Sequence, residues 1–262
     1  MSSVALNSGK PRELMIPTAV GNLNAALYPP EGSRRDYTVI FCHGFRGSKE
    51  GGGRASSLAA RVAGLGFAAL LFDFTPLSML SAQVGELRAV VDYCRHEVGR
   101  QVILFGRSMG GSAALAVAAA DKFIGGLCLW ATPFDLHETF RLSLGDGYNR
   151  LLDGEPVSIA DEFGELRLSP SFLHDFDRFD LLACATQVSG RPLLVVHGEN
   201  DEIVPCRQAA VIFGQAGEPK SMAVIPGADH RFLHGHGQAS AAVLAWLAAS
   251  FPVGATDKPS CI

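Results

Sequence analysis

The chain has 262 residues, 48% of them hydrophobic and 18% charged; this suits one α/β unit burying about three quarters of its unfolded surface and excludes a stapled mini-protein or a disordered chain. Its 22 basic and 26 acidic residues give a formal charge of −4 without any long run of Lys or Arg. Such a pattern lacks the electrostatic footprint that nucleic acid or anionic lipid requires, so neither is expected as a partner.

In chain order, Met1–Arg12 carries Lys10 and Arg12 with no apolar segment behind them, so no secretory leader is expected and the expected location is cytoplasmic. Glu13–Thr18 and Leu23–Tyr28 predict an opening hairpin at a sheet edge. Apolar runs at Tyr37–Cys42, Phe67–Phe72, Val102–Phe105, Ile124–Trp130, Leu193–Val196 and Met222–Ile225 predict buried strands. Helices are predicted over Arg54–Leu65, Leu80–Cys94, Ser108–Ala120, Cys206–Phe213 and Gln238–Ala249. In the second of these, Leu80, Val84, Leu87, Val91 and Cys94 recur at steps of three or four and paint one apolar stripe. Strands alternating with helices imply right-handed βαβ units in a mostly parallel eight-stranded sheet with helices on both faces. The longest apolar stretches, such as Phe67–Phe72 and Ala113–Ala120, fall far short of the roughly 20 residues that span a bilayer, so no membrane is expected either.

Between Thr132 and Gly190 the rhythm breaks. Phe134, Phe140, Phe172, Phe176 and Phe179 stand among polar residues, with an acidic, hinge-like run near Asp161–Glu165. A structureless loop of that length inside a compact domain is exceptional, so 132–190 is predicted as an inserted helical cap. The core then comprises 13–131 and 191–251, with 252–262 as a flexible tail. Cys42, Cys94, Cys128, Cys184, Cys206 and Cys261 show neither C-x-x-C nor zinc-ligand spacing and read as free thiols, most of them core fillers. Cys261 stands second from the end, which is not a prenylation position.

Gly106-Arg107-Ser108-Met109-Gly110 follows a predicted strand and opens a small-residue helix, the context of a nucleophile elbow. Such a turn forces the serine into a strained backbone conformation, glycines beside it remove colliding Cβ atoms, and Ser108 Oγ emerges over a helix N-terminus. A serine hydroxyl is inert near neutrality unless a histidine takes its proton and a carboxylate orients that histidine. Asp201 stands in the turn after Leu193–Val196, with Glu199 and Glu202 as rival carboxylates. His230 stands in the turn after Met222–Ile225, with His234 and His236 as lesser rivals. The chain order Ser, Asp, His matches one known arrangement of the triad.

An oxyanion hole needs a second N–H besides that of Met109. Cys42-His43-Gly44-Phe45-Arg46-Gly47-Ser48 follows an early strand, and the Phe45 amide is the expected donor, with Gly44 allowing close approach. His43 reads as a brace of this loop rather than as a base. Gly51-Gly52-Gly53 resembles a phosphate cradle, but no Gly-Lys-Ser/Thr follows, so the P-loop reading fails. His234-Gly-His236 has no third ligand at zinc spacing, and neither metal nor cofactor is expected.

These residues together resemble the α/β-hydrolase superfamily from Glu13 to Ala249, and within it the bacterial serine esterases of the feruloyl/cinnamoyl-esterase and serine-aminopeptidase-like group. The resemblance rests on His43–Lys49, Gly-x-Ser-Met-Gly-Gly at 106–111, the Asp201 and His230 turns and the short insertion. It implies the α/β-hydrolase fold, Ser108 as nucleophile, Asp201 as orienting acid and His230 as base. One departure is Asp73-Phe74-Thr75-Pro76-Leu77-Ser78, where relatives commonly carry a Gly-rich loop; this changes one wall of the cleft. The leading expectation is a carboxylic ester hydrolase acting on a small-molecule ester, with His43, Gly44, Phe134 and Phe172 against the substrate. Aromatic residues in the cap favour aryl-acrylate or short-to-medium acyl groups. A thioesterase or aminopeptidase with the same triad and a low-turnover receptor on the same fold are the alternatives. A homodimer is left open.

Overall fold

The computed structural model describes residues 10–19, 21–76, 79–98, 101–161 and 164–253. Leu77, Ser78, the middle of the Asp161–Glu165 run, Cys261 and the tail beyond Val253 lie outside the described residues.

The chain opens with strands β1 (Arg12–Thr18), β2 (Gly21–Tyr28) and β3 (Tyr37–Cys42), followed by helix α1 (Arg54–Gly64) and β4 (Ala68–Phe72). Helix α2 (Leu80–Tyr93), β5 (Gln101–Arg107), α3 (Met109–Ala120) and β6 (Ile124–Trp130) complete the first part. After an insertion come α7 (Leu181–Gln187), β9 (Leu193–Gly198), α8 (Cys206–Gln215), β10 (Lys220–Ile225) and α9 (His236–Ser250). Eight strands form one sheet in the order β1-β2-β4-β3-β5-β6-β9-β10. Only the β1–β2 and β2–β4 pairings are antiparallel. The expected eight-stranded, mostly parallel sheet is therefore present, with its antiparallel edge.

β3, β4 and β6 are buried almost from end to end, because helices cover both faces of the sheet. One apolar layer gathers Leu87, Val91, Leu115 and Ile212 under α2, α3 and α8. The opposite layer gathers Leu58, Val62, Val243 and Leu247 under α1 and α9. From β3 the chain moves outward to β4, then crosses back through α2 to β5 on the other side. This reversal opens a crevice at the carboxyl ends of β3 and β5, where open α/β sheets bind ligands.

The insertion holds α4 (Leu136–Leu144), α5 (Asp146–Leu152), the hairpin β7 (Val157–Asp161) and β8 (Gly164–Leu168), and the short α6 (Ser171–His174). It is thus helical only in part. Of the run Asp161–Glu165, read from sequence as hinge-like, Asp161 belongs to β7 and Gly164 and Glu165 to β8, with Asp161 paired with Gly164. Helix α7 packs on α3, with Leu181 and Ala185 buried in the same layer as Leu115. Phe140 packs on Phe172 and Phe176 at centroid distances of 4.9 and 5.1 Å, an aromatic centre that Phe45 of the loop after β3 joins at 5.1 Å from Phe140.

Candidate active site

β5 delivers Ser108 to the crevice. Its backbone lies at φ 52°, ψ −131°, a left-handed position rare for a residue with a Cβ. The turn is held by the Ser108 amide, which donates to the Trp130 carbonyl at 2.9 Å, and by the Gly111 amide, which donates to the Ser108 carbonyl at 2.8 Å. A Cβ on Gly110 would stand 2.1 Å from the His43 carbonyl oxygen, so α3 can approach β3 only with glycine there. Likewise a Cβ on Gly44 would stand 2.9 Å from Ser108 Cβ and 3.5 Å from its Oγ.

Asp201 is buried in the turn after β9, and His230 is half-buried in the turn after β10. His230 Nδ1 lies 2.8 Å from Asp201 Oδ2 and 3.0 Å from Oδ1. A carboxylate in that position requires the proton on Nδ1 and leaves Nε2 as an acceptor. Asp201 Oδ1 also accepts from the Ile203 and Val204 amides at 3.0 and 2.7 Å. Burial pushes this carboxyl up, but hydrogen bonds from His197, His230 and the Val204 amide, with the His230 charge, outweigh burial and hold it well below the usual carboxylate range. The rival acids take backbone amides instead: Glu202 accepts from His230 N at 3.2 Å and Glu199 from Gly227 N at 2.9 Å. Of the rival histidines, His236 begins α9 with its ring 5.6 Å from that of Trp130.

The His43 ring is spent within the protein. Its Nε2 accepts from the Phe74 amide at 3.0 Å, so Nδ1 carries the proton and donates to the Gly44 carbonyl at 2.8 Å. Burial lowers the His43 pKa, against the Gly44 bond and the charges of Asp73 and Glu86, in keeping with a neutral ring. The glycine-free segment after β4 therefore braces the loop after β3, and Asp73 adds a second tie at 2.7 Å to the Lys49 amide. Among the described residues, neither the Phe45 nor the Met109 amide has a hydrogen-bond partner.

Ser108, Met109, Gly44, Phe45, His43 and His230 all line one cavity of about 360 Å³. Asp201 stands behind His230. The expected contacts Phe134 and Phe172 do not line it. Phe134 faces a separate depression with Asp135 and His137, because its backbone amide is tied to Gln208 Oε1 at 3.0 Å. Phe172 is buried behind Phe45 and Phe140, at 5.3 and 4.9 Å. The insertion instead contributes Phe140, Leu144 and Ile159 to the cavity wall. Periodicity within α4 marks Phe140 as inward-facing, but nothing local tells inward to the core from inward to the cleft. Among the described residues, no group of three His, Cys, Asp or Glu is placed to hold a metal ion, and no helix is long and apolar enough to cross a membrane.

Residues 39–245 match the model of the alpha/beta hydrolase family. The uncharacterized protein YfhR of Salmonella typhimurium is 26% identical over 149 residues, which cover 55% of this chain and 46% of that protein. The chain thus spans about half the length of the curated relatives it matches. Among solved structures, Est1E from Butyrivibrio proteoclasticus is similar with a TM-score of 0.78 at 22% identity, over 91% of this chain and 98% of Est1E. The esterase domain of a Rhodothermus marinus protein has a TM-score of 0.71 at 23% identity, over 94% of this chain and 100% of that domain. At these identities the likeness is one of fold.

Proposed function

The chain belongs to the alpha/beta hydrolase family, and from that premise we propose that it is a serine hydrolase cleaving carboxylic esters through an acyl-enzyme on Ser108. The observation that carries this reading is the pairing of His230 Nδ1 with Asp201 at 2.8 Å beside a cavity that Ser108 also lines. In the first half-reaction Ser108 Oγ attacks the ester carbonyl carbon and its proton passes to His230 Nε2. The oxyanion is held by the Met109 and Phe45 amides, over the N-terminus of α3. The carbon–oxygen bond to the alcohol then breaks, and His230 returns the proton to the departing oxygen. In the second half-reaction water gives a proton to His230 and attacks the acyl carbon; the bond from that carbon to Ser108 Oγ breaks, Oγ takes the proton back from His230, and the acid is released. Asp201 stays ionised throughout and holds the imidazolium that forms.

Phe45, Phe140, Leu144 and Ile159 wall the cavity, which supports aryl-acrylate or short-to-medium acyl groups. Est1E has been solved with ferulic acid bound, in keeping with such a substrate. A fluorophosphonate is expected to label Ser108 stoichiometrically, and the same preparation to turn over 4-nitrophenyl butyrate, with Ser108→Ala doing neither and chelators without effect. Labelling without turnover would reassign the protein as a binder, and loss of activity to EDTA with recovery by zinc would remove the mechanism.

A further inference from the structure

A second cavity of about 390 Å³ adjoins the first and shares Arg107 and Arg231 with it. Arg54 and His236 also line it, together with an apolar surface that includes Phe105, Trp130 and Phe232. None of its lining residues is acidic. Arg54 Nη1 donates to the carbonyls of Arg231 and Phe232 at 2.9 and 3.2 Å, and Arg107 Nη2 to the carbonyl of His230 at 3.0 Å. One nitrogen of each guanidinium is thereby used, out of five N–H donors apiece. Among the described residues, neither Arg54 nor Arg107 forms an ion pair. Burial, and then the charge of Arg54, lower the Arg107 pKa against the charges of Asp201 and Asp229, and burial followed by the charges of Arg54, Arg107 and Arg61 lowers that of His236. Arg54 and Arg231 are exposed and Arg107 and His236 half-buried, so an anion entering this cavity meets several N–H donors and positive charge, and no acidic side chain of its lining.

Two further features point the same way. The eleven-residue α1 starts at this cavity; its Arg54 and Ala55 amides are bonded to the Gly51 and Glu50 carbonyls, and what it adds there is the positive end of its dipole. The Trp130 indole nitrogen is buried with no partner among the described residues, in a side chain that lines the cavity.

We propose that this second cavity holds the anionic end, a carboxylate or a phosphate, of the substrate's alcohol portion while the ester carbonyl lies on Ser108. The proposal rests on the esterase reading above for its side of the cleft. The departing oxygen must take its proton from His230, so the alcohol lies on the His230 side. Arg231 follows His230 in the chain, and Arg54 and Arg107 grip the three consecutive carbonyls from His230 to Phe232. The acyl group then occupies the opposite wall of Phe140, Leu144 and Ile159. The substrate class is an ester of an apolar acid with an alcohol that bears a negative charge on an apolar body.

Calorimetric titration of the intact chain with benzoate, phenyl phosphate and neutral benzamide tests the cavity without any turnover. At least one anion is expected to bind about tenfold more tightly than benzamide, with the advantage shrinking as salt is raised. Benzoate against phenyl phosphate tells which anion the site takes. Arg54→Gln and Arg231→Gln, each checked for an unchanged melting temperature, are expected to remove that advantage. In kinetics, the butyrate ester of 3-hydroxybenzoate is expected to exceed that of 3-hydroxybenzamide by about tenfold in kcat/KM. The ratio within each variant cancels any general loss of rate. Phenyl hydrogen succinate, charged on the acyl side, is expected to show no such gain over phenyl butyrate. Equal binding of benzamide and both anions, with esters still hydrolysed, overturns the proposal and leaves the esterase reading intact. Anion preference with no ester hydrolysed overturns the esterase reading and leaves the anion cavity standing. A gain confined to the succinate overturns the assignment to the alcohol.

Discussion

His197 Nε2 lies 3.3 Å from Asp201 Oδ2, with both side chains sealed from solvent. The same nitrogen stands 2.7 Å from the Val204 carbonyl, so it carries the proton and shares it between two acceptors. Asp201 is thus held by two imidazoles, only one of which reaches the cleft. Replacing His197 by Leu removes a donor from a buried carboxylate and a buried carbonyl, and stability is expected to fall by about 1–3 kcal/mol. If His197 also positions Asp201 for His230, kcat falls while KM stays near its original value. Urea unfolding with steady-state kinetics on the same preparation reads both, and a full kcat in a destabilised variant would confine His197 to structure.

Acid is expected to unfold the protein in two separable stages. His43 and His236 both have lowered pKa values, burial being the first cause in each. Below about pH 6.5 the unfolded chain therefore takes up protons that the folded one refuses, and stability declines until the folded rings protonate too. Asp201 is also depressed, so its contribution is complete above about pH 4 and is lost as pH falls toward its lower folded value. His43→Gln should shrink the upper stage and Asp201→Asn the lower one in urea midpoints followed against pH. Parallel curves for wild type and Asp201→Asn below pH 4 would show that the carboxylate is not so held.

Gly44 leaves no room for a side chain beside Ser108. The methyl of Gly44→Ala would press on Ser108 Cβ at 2.9 Å, and Ser108 cannot yield because its own amide is tied to Trp130. The loop after β3 must move instead, taking Phe45 N–H with it. Loss of one aligned oxyanion donor costs about 10²–10³ in kcat, and that is the fall expected, with KM less affected. Activity within a few-fold of wild type would mean that the second donor comes from elsewhere.

Backbone strain at Ser108 makes a thermodynamic prediction that ordinary nucleophile replacement does not test. Ser108→Ala and Ser108→Gly are both expected to be inactive, but only glycine tolerates φ 52°, ψ −131° without a Cβ penalty. Relief of about 1–3 kcal/mol, less about 0.5–1 kcal/mol for glycine's greater freedom when unfolded, should leave Ser108→Gly the more stable of the pair by about 1 kcal/mol. Chemical denaturation of the two variants side by side decides it.

What the sequence made legible follows from physical locality. Tyr37–Cys42 and Ile124–Trp130 were bounded correctly at both ends, because a strand buried on both faces must be apolar throughout. The elbow and the two turns were legible because each is a contiguous motif at the end of such a strand. The β7–β8 hairpin was not: outside the main sheet its strands carry Ser158, Glu165 and Arg167, and no buried run marks them. His197 lies in β9 and Asp201 four residues on in the turn that follows, where spacing alone brings no side chains together. The arginine cavity draws on α1 and the loop before it, the end of β5, Trp130 at the end of β6 and the stretch from Arg231 to His236, pieces far apart in sequence.

Five phenylalanines in the insertion suggested aromatic walls over the nucleophile, yet only Phe140 of these reaches the cavity; Phe172 and Phe176 pack against it from behind. The part of the cavity wall that the insertion supplies is therefore as much aliphatic as aromatic, with Leu144 and Ile159 beside Phe140. At about 360 Å³ the cavity sits near the lower end of the roughly 300–1,000 Å³ range of ligand sites. Long acyl chains cannot be enclosed in it, and a flexible chain left outside loses rotamer freedom for little burial. Short-to-medium acyl esters and methyl ferulate are expected to be hydrolysed, and long-chain triglycerides hardly at all. Ile159 is only half-buried, so enlarging it fills the cavity without disturbing the aromatic centre. Ile159→Trp is expected to lower kcat/KM for hexanoate and ferulate esters by about tenfold relative to acetate, the scale on which pockets discriminate by size. A wild-type enzyme that ignores methyl ferulate and cleaves long-chain emulsions, with Ile159→Trp unchanged in its chain-length profile, would turn the insertion into a lid that opens on lipid.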